Sequence, residues 1–261
     1  MADRADRIRL FAQPVVVLAV VAGLLVWAGT RQLDDIEQRN LNFSTLLDLT
    51  WQHLLLAVAV TAIVVLVGVP LGIVLTRRWA RFAAPFVLAL ANIGQAAPAI
   101  GVLVLFFLAT ASTGFWVAAL PIALYSLLPV LRNTIVGIRQ VDPTLVEAGR
   151  GIGMSASAVL RRIELPLAVP LILAGLRTSL VLAVGTATLA FFVAGGGLGV
   201  LIDTGDKLAR YSVLVVGAVL AMAYLSFTGD MAIQLTPLAL SASRTLSNCS
   251  FGSTITSLCP R

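Results

Sequence analysis

Charged residues are scarce: Asp, Glu, Lys and Arg make up 11% of the 261 residues, while 59% are hydrophobic. Ordinary soluble domains carry about 25% charge and about 45–50% apolar residues. That deficit excludes a water-soluble globule, which needs charge to cover its surface, and it excludes a disordered chain. One histidine, His53, and two cysteines, Cys249 and Cys259, leave almost nothing for a metal centre or a disulfide framework. No metal site is expected. No G-x-x-x-x-G-K-[ST] phosphate loop occurs, so the chain has no ATP site of that kind of its own. Aromatic residues are 7% of the total, with no Trp/Tyr cluster inside the apolar runs, so a tight aromatic cage for a quaternary ammonium is excluded there.

What is present is long apolar sequence. A bilayer core requires about 20 apolar residues per helix. Six stretches approach or exceed that, at about 11–29, 53–76, 83–109, 115–131, 166–194 and 211–229. Trp27 and Trp51 fit interfacial anchors. The fourth stretch is short and extends through Arg132 by snorkelling. The fifth is long enough to tilt or to end irregularly. The charged start before the first run superficially resembles a signal peptide. The run is long and lacks a small-x-small cleavage site, so a retained first helix is expected.

The basic residues orient these spans. Arg4, Arg7, Arg9, Arg77, Arg78, Arg81, Arg132, Arg139, Arg150, Arg161 and Arg162 fall on one side; Arg31, Arg39, Lys207 and Arg210 fall on the other. The excess marks the cytoplasmic side, so both termini and the 132–165 loop are expected there. The net charge of +6 is thereby explained without nucleic acid. The five spans after the first contain no Asp or Glu. That removes the usual proton relay and leaves sodium coupling through backbone carbonyls open.

The chain divides into an N-terminal helix with an acidic outer segment (1–50), a transmembrane domain (51–235) and a Ser/Thr-rich tail (236–261) without helical periodicity. The 132–165 loop is its most informative segment. Thr144 and Glu147 form an S/T-x-x-E box that starts a helix after Pro143. Gly151 and Gly153 end it within two turns. Ser155 caps a second helix, 156–163, expected to stop at Pro166. Such short helices are unstable alone. Leu145, Val146, Ile152 and Met154 give them an apolar face for docking on a soluble partner.

Glu147-Ala148-Gly149, then Gly153, then Ile163-x-Leu165-Pro166 resembles the EAA loop of ATP-binding-cassette importer permeases. Gly149 departs from that pattern, which has alanine there, and weakens the helix by about 1 kcal/mol. Gly68-Val-Pro-Leu-Gly72, Gln95-Ala-Ala-Pro-Ala-Ile100, Ala123-Leu-Tyr-Ser-Leu-Leu-Pro-Val-Leu-Arg-Asn-Thr134, Val141-Asp-Pro143 and Ala194-Gly-Gly-Gly-Leu-Gly199 resemble the osmoprotectant (glycine betaine/carnitine/choline) subfamily. The resemblance covers about residues 50–235.

The resemblance implies an all-α integral membrane protein of about six transmembrane helices. Its core would be five helices of the type I, methionine-permease-like fold, plus an N-terminal helix. It implies a permease subunit, not an enzyme, in a bacterial inner or plasma membrane. ATP and Mg would be bound by a partner ATPase on the cytoplasmic side. An external solute-binding protein and a second permease subunit, identical or paired, would complete the importer. The 144–163 loop would couple hydrolysis to the helices: Glu147 and Ala148 in a cleft of the ATPase, Gly151 and Gly153 setting the turn, Met154 packing beside them.

Asn92, Gln95, Pro98, Tyr125 and Pro129 are candidates for the solute path, with helix–helix glue as the alternative for Gln95 and Tyr125. Gly195, Gly196, Gly197 and Gly199 mark an outer glycine-rich segment. Residues 195–210 are an outer loop that meets the binding protein or is simply solvated. Arg177 is expected to lie shallow and snorkel, since an unpaired arginine at mid-bilayer costs about 2.5–3.5 kcal/mol on insertion scales. Permeases for other small solutes such as amino acids, a sodium-coupled secondary transporter and a membrane enzyme are the competing readings. The enzyme would require clustered catalytic groups at one membrane face, and the sequence offers none.

Overall fold

The computed structural model describes residues 2–30 and 33–229. The tail 236–261, with Cys249 and Cys259, lies outside the described residues, as does Arg31. Within them the chain is helical: α1 (Ala2–Thr30), α2 (Asp35–Asn40), α3 (Phe43–Thr76), α4 (Ala84–Ala96), α5 (Ala99–Thr110), α6 (Phe115–Arg139), α7 (Pro143–Gly151), α8 (Ala156–Val159), α9 (Leu165–Ala187), α10 (Gly199–Lys207) and α11 (Tyr211–Gly229). Four continuous helical stretches are long and apolar enough to cross a membrane: Phe43–Thr76, Phe115–Arg139, Ala156–Val193 and Tyr211–Gly229. The expected first span falls in α1.

The stretch expected as one span at 83–109 is two helices. α4 and α5 meet at an angle of 100°. The cause is local. Pro98 disfavours helical backbone in the residue before it, and Ala97 takes ψ 145°. Pro98 also has no N–H to continue the ladder, and serves as the N-cap of α5.

Helix α6 is the centre, packed against α3, α4, α5 and α9. Leu56, Val60 and Val64 of α3, Leu103 of α5, Ile122 and Val130 of α6 and Ala183 and Ala187 of α9 form the main buried cluster. Close approach depends on missing side chains. A Cβ on Gly175 of α9 would stand 2.7 Å from the Pro129 carbonyl oxygen and 2.8 Å from Asn133 Cβ of α6. The pair is tied again where Ser179 Oγ donates to the Ser126 carbonyl at 2.7 Å, buried from solvent. Interhelical hydrogen bonds of this kind contribute about 0.6 kcal/mol on average. A second buried cluster joins α1, α3, α10 and α11 through Ala28, Leu46, Leu49, Leu198, Leu201, Val213 and Val216.

At the opposite end from the 132–165 loop, the acidic segment is built into the fold. Asp34 caps α2, and its backbone N–H is accepted by Glu37, closing a capping box. Asp34 pairs with Arg210 at 2.6 Å, and the Ser212 hydroxyl donates to Glu37. That hydroxyl, followed by the Asp34 N–H, holds the Glu37 carboxyl below its usual pKa.

Candidate functional site

The loop after α6 is organised by Asp142, not by Thr144. Asp142 Oδ1 accepts the Thr144 N–H at 2.9 Å, and Pro143 fills the first helical position, where a missing N–H is harmless. The box expected of Thr144 and Glu147 therefore does not form: with Asp142 as the cap, Glu147 is two residues too far along the helix to close it. The Thr144 N–H, then the Thr144 side chain, lowers the Asp142 pKa below its ordinary 3.8. A carboxylate with a depressed folded pKa stabilises above its unfolded value, and that support is lost as pH falls through the folded one. The cap is thus fully present at neutral pH. Asp142→Ala is expected to speed amide hydrogen exchange at 144–146, while Asp142→Asn, which keeps the acceptor, leaves it near wild type.

At the other end of α7, Gly153 takes φ 87°, a left-handed turn that glycine adopts freely. The Ile152, Gly153 and Met154 N–H groups return to the carbonyls of Ala148, Arg150 and Gly149. Ser155 caps α8 through the Ala158 N–H at 3.3 Å, as its sequence position implies. The chain then folds back on α7. A Cβ on Gly149 would lie 2.7 Å from Ile163 Cδ1 and 3.4 Å from Met154 Sδ. Gly149 is therefore more than a helix-weakening departure: it is the buried floor on which Ile163 and Met154 close the loop. Glu147 and Ala148 are exposed on the other side, and the Glu147 carboxylate makes no hydrogen bond or ion pair among the described residues.

The second helix does not stop at Pro166. Leu160–Glu164 is one turn of π-helix, with the Leu165 N–H bonded to the Leu160 carbonyl five residues back. It feeds directly into α9, with Leu165 and Pro166 in the first turn. A proline is harmless among the first helical residues, whose N–H groups need no partner in their own helix. Residues 156–164 are thus a continuous helical extension of a spanning helix, with α7 folded back on it across the Gly153 turn.

One ion pair anchors this extension. Arg77 Nη2 lies 2.5 Å from Glu164 Oε2, and both side chains are largely shielded, with 27% and 8% exposure. The same guanidinium contacts Thr76 Oγ1 at 3.1 Å. This pair joins the end of α3 to the base of the loop. Sequence reasoning counted Arg77 only as an orientation signal and overlooked Glu164. A carboxylate adjoining a long apolar run, which must find a cation, was the available signal.

The path candidates fall on two packed elements. Asn92 and Gln95 are on α4, Pro98 is at the 100° corner, and Tyr125 and Pro129 are on α6. Asn92 and Pro98 are exposed; Gln95, Tyr125 and Pro129 are half-buried. The Asn92 and Gln95 amides form no hydrogen bonds among the described residues.

The glycine-rich segment seats on the start of α3. Gly196 and Gly197 have φ of 77° and 87°. The Gly197 N–H is accepted by Gln52 Oε1 at 3.2 Å, and a Cβ on Gly197 would stand 3.1 Å from His53 Nδ1. A Cβ on Gly195 would press 2.6 Å from Ala118, and one on Gly199 would overlap the Thr188 carbonyl. His53 is fully buried, its ring edge-on to Tyr224 with centroids 5.2 Å apart. The reading of 195–210 as a loop is corrected: 199–207 is helical. Of its charges, Lys207 pairs with Asp203 at 2.8 Å, and Arg210 beyond it pairs with Asp34.

Comparison with known proteins matches this architecture. The profile of the family described as binding-protein-dependent transport system inner membrane component matches residues 68–255. The chain is 42% identical over 178 residues to a choline transport system permease protein, OpuBB, of Bacillus subtilis, covering 68% of this chain and 81% of that one. It is 36% identical over 207 residues to a carnitine transport permease protein, OpuCB, of Listeria monocytogenes, covering 78% and 94%. Among solved structures, an inward-facing MetNI methionine ABC transporter superposes with a TM-score of 0.64 at 21% identity, over 74% of this chain and 95% of that one. This last likeness bears out the methionine-permease-like fold.

Proposed function

Since the chain belongs to the family of binding-protein-dependent transport system inner membrane components, we propose that it is the permease of an ATP-driven importer for osmoprotectants such as glycine betaine, carnitine, choline or proline betaine. The relatives named for choline and carnitine transport support that substrate class. ATP and Mg belong to a separate ATPase, which docks on the 144–163 loop. A second permease subunit and an external solute-binding protein complete the assembly. The observation that carries the docking assignment is the exposure of Glu147 and Ala148 on a loop whose other face is packed and whose base is held by Arg77 and Glu164.

In this arrangement α8 and the π turn move with α9, because no break separates them, and α7 follows through the packing of Gly149 against Ile163 and Met154. A shift of the ATPase is then delivered to α6 through the Gly175 and Ser179 contacts, and to α3 through Arg77. Coupling by rigid elements of this sort requires two discrete packings of the same helices. The candidate path between α4, the 97–98 corner and α6 would open and close as they change.

The test is reconstitution. Permease, ATPase and binding protein in liposomes are expected to take up radiolabelled glycine betaine, carnitine or choline only with ATP. Uptake by the chain alone on a sodium gradient would overturn the reading. Orientation is checked in intact cells, after replacing Cys249 and Cys259. A cysteine at Gln38 is expected to react with an impermeant maleimide, and one at Glu147 only after permeabilisation.

A further inference from the structure

The sequence predicts a shallow, snorkelling Arg177; the Arg77–Glu164 pair gives a reference point from which its position along α9 can be counted. We take that pair, which joins the end of α3 to the start of α9, as the inner membrane boundary of both helices. At 1.5 Å per residue, Arg177 stands roughly 20 Å further along the helix, and roughly 15 Å remain to Ala187. In a hydrocarbon core about 30 Å thick, that is near the middle. The side chain is exposed, as are its helical neighbours Ala174 and Thr178. The Thr178 hydroxyl donates to the Ala174 carbonyl at 3.1 Å, leaving its lone pairs outward.

Other exposed helix faces are apolar: Leu66 and Val67 on α3, and Phe86 and Leu90 on α4. A small residue, a guanidinium and a hydroxyl at i, i+3 and i+4 make a face for water or a polar solute. Arg177 has no hydrogen-bond or ion-pair partner among the described residues. No Asp or Glu occurs between Asp48 and Asp142 or between Glu164 and Asp203, so the spanning helices bring no carboxylate to that depth. A second copy of the chain would bring only a second arginine. In an assembly of two copies, the anionic complement has to arrive from outside the permease.

We propose that Arg177 is a solute-reading residue of a translocation path that takes in the exposed Ala174, Arg177 and Thr178 face of α9 as well as the α4 and α6 candidates, and that it pairs with the carboxylate of small zwitterions as they pass. This rests on the permease reading above and narrows its substrate class. Glycine betaine and carnitine carry both a trimethylammonium and a carboxylate, whereas choline carries only the cation. A guanidinium at mid-path attracts the first two and repels the third. A water-facing site keeps the attraction weak enough for release.

The experiment uses the complete importer in liposomes, with uptake of glycine betaine, carnitine and choline measured for wild type, Arg177→Gln and Arg177→Lys. Loss of a charge-assisted hydrogen bond predicts that Gln lowers uptake of the two carboxylates about ten- to a hundredfold. Choline uptake stays level or rises, and Lys retains the carboxylates within about threefold. Where wild type carries the carboxylates alone, Lys decides: uptake kept supports the inference, uptake lost as with Gln overturns it. Equal loss of all three solutes, no loss of any, or wild-type uptake confined to choline also overturns it. Wild-type uptake of none of the three instead overturns the osmoprotectant function and this inference with it. In a background lacking Cys249 and Cys259, Ala174→Cys is expected to react with a hydrophilic thiol reagent and to be protected by glycine betaine. An unreactive cysteine there overturns the placement on the path.

Discussion

Glu147→Arg is expected to abolish ATP-dependent uptake and release the ATPase during purification, while the thermal midpoint of the permease stays within about 1–2 °C of wild type. Glu147 has no partner among the described residues, so its removal leaves no unpaired group among them. Surface substitutions of that kind change stability by about 0.5 kcal/mol or less. At an interface the same change reverses charge on a projecting helix. Hot-spot losses of about 2–4 kcal/mol, or roughly thirty- to a thousandfold in affinity, are the scale to expect. Copurification by affinity tag, with thermal unfolding of the isolated permease, separates docking from folding. Retained copurification and uptake would remove the loop from the coupling mechanism.

The second large effect belongs to Glu164. Its carboxylate is the counter-charge of an arginine whose own side chain is mostly shielded. Glu164→Ala leaves that arginine uncompensated, and breaking fully buried pairs from one side destabilises by about 3–5 kcal/mol. Because Arg77 keeps 27% exposure, a loss of about 2–3 kcal/mol and a clearly lowered thermal midpoint are expected. The double variant Arg77→Met/Glu164→Leu is expected to recover most of the midpoint, since apolar replacements of such pairs are often neutral. It is not expected to recover uptake, because the polar latch between α3 and the loop is gone. If the double variant transports normally, the pair serves stability alone.

Features with local causes were legible in the sequence. Gly153 and Ser155 punctuate the loop as expected, since a left-handed turn and a side-chain cap depend on a few adjacent residues. The apolar runs show, for the same reason, four of the six expected spans among the described residues, or five with the bent α4–α5 pair taken as one. Thr144 was misread because two valid N-cap patterns overlap, and the Asp142-Pro143 pair sets φ and the cap together two residues earlier. Pro166 was read as a terminator because proline ends helices in their interior, whereas here it lies in the first turn after a π segment. Pro98 was noticed, but the size of the bend at Ala97 depends on what α5 packs against. Arg77 and Glu164 are 87 positions apart, and no local pattern announces such a pair. Gly149 looked costly by helix propensity alone; its value appears only when Ile163 is brought against it.

The π turn at Leu160–Glu164 has a consequence for phase. Each residue of an α-helix advances the chain by about 100° of rotation and 1.5 Å of rise. A π turn holds one residue more than the α ladder around it. The docking face bearing Glu147 and the face bearing Arg177 are therefore set against each other by an angle that this surplus residue determines. Deleting Leu160 alone would leave composition, charge and hydropathy nearly unchanged. It would also turn the loop by about a quarter of a revolution relative to the membrane helix, aiming Glu147 away from its present direction. What this stretch encodes is an orientation, and its length in residues is the setting.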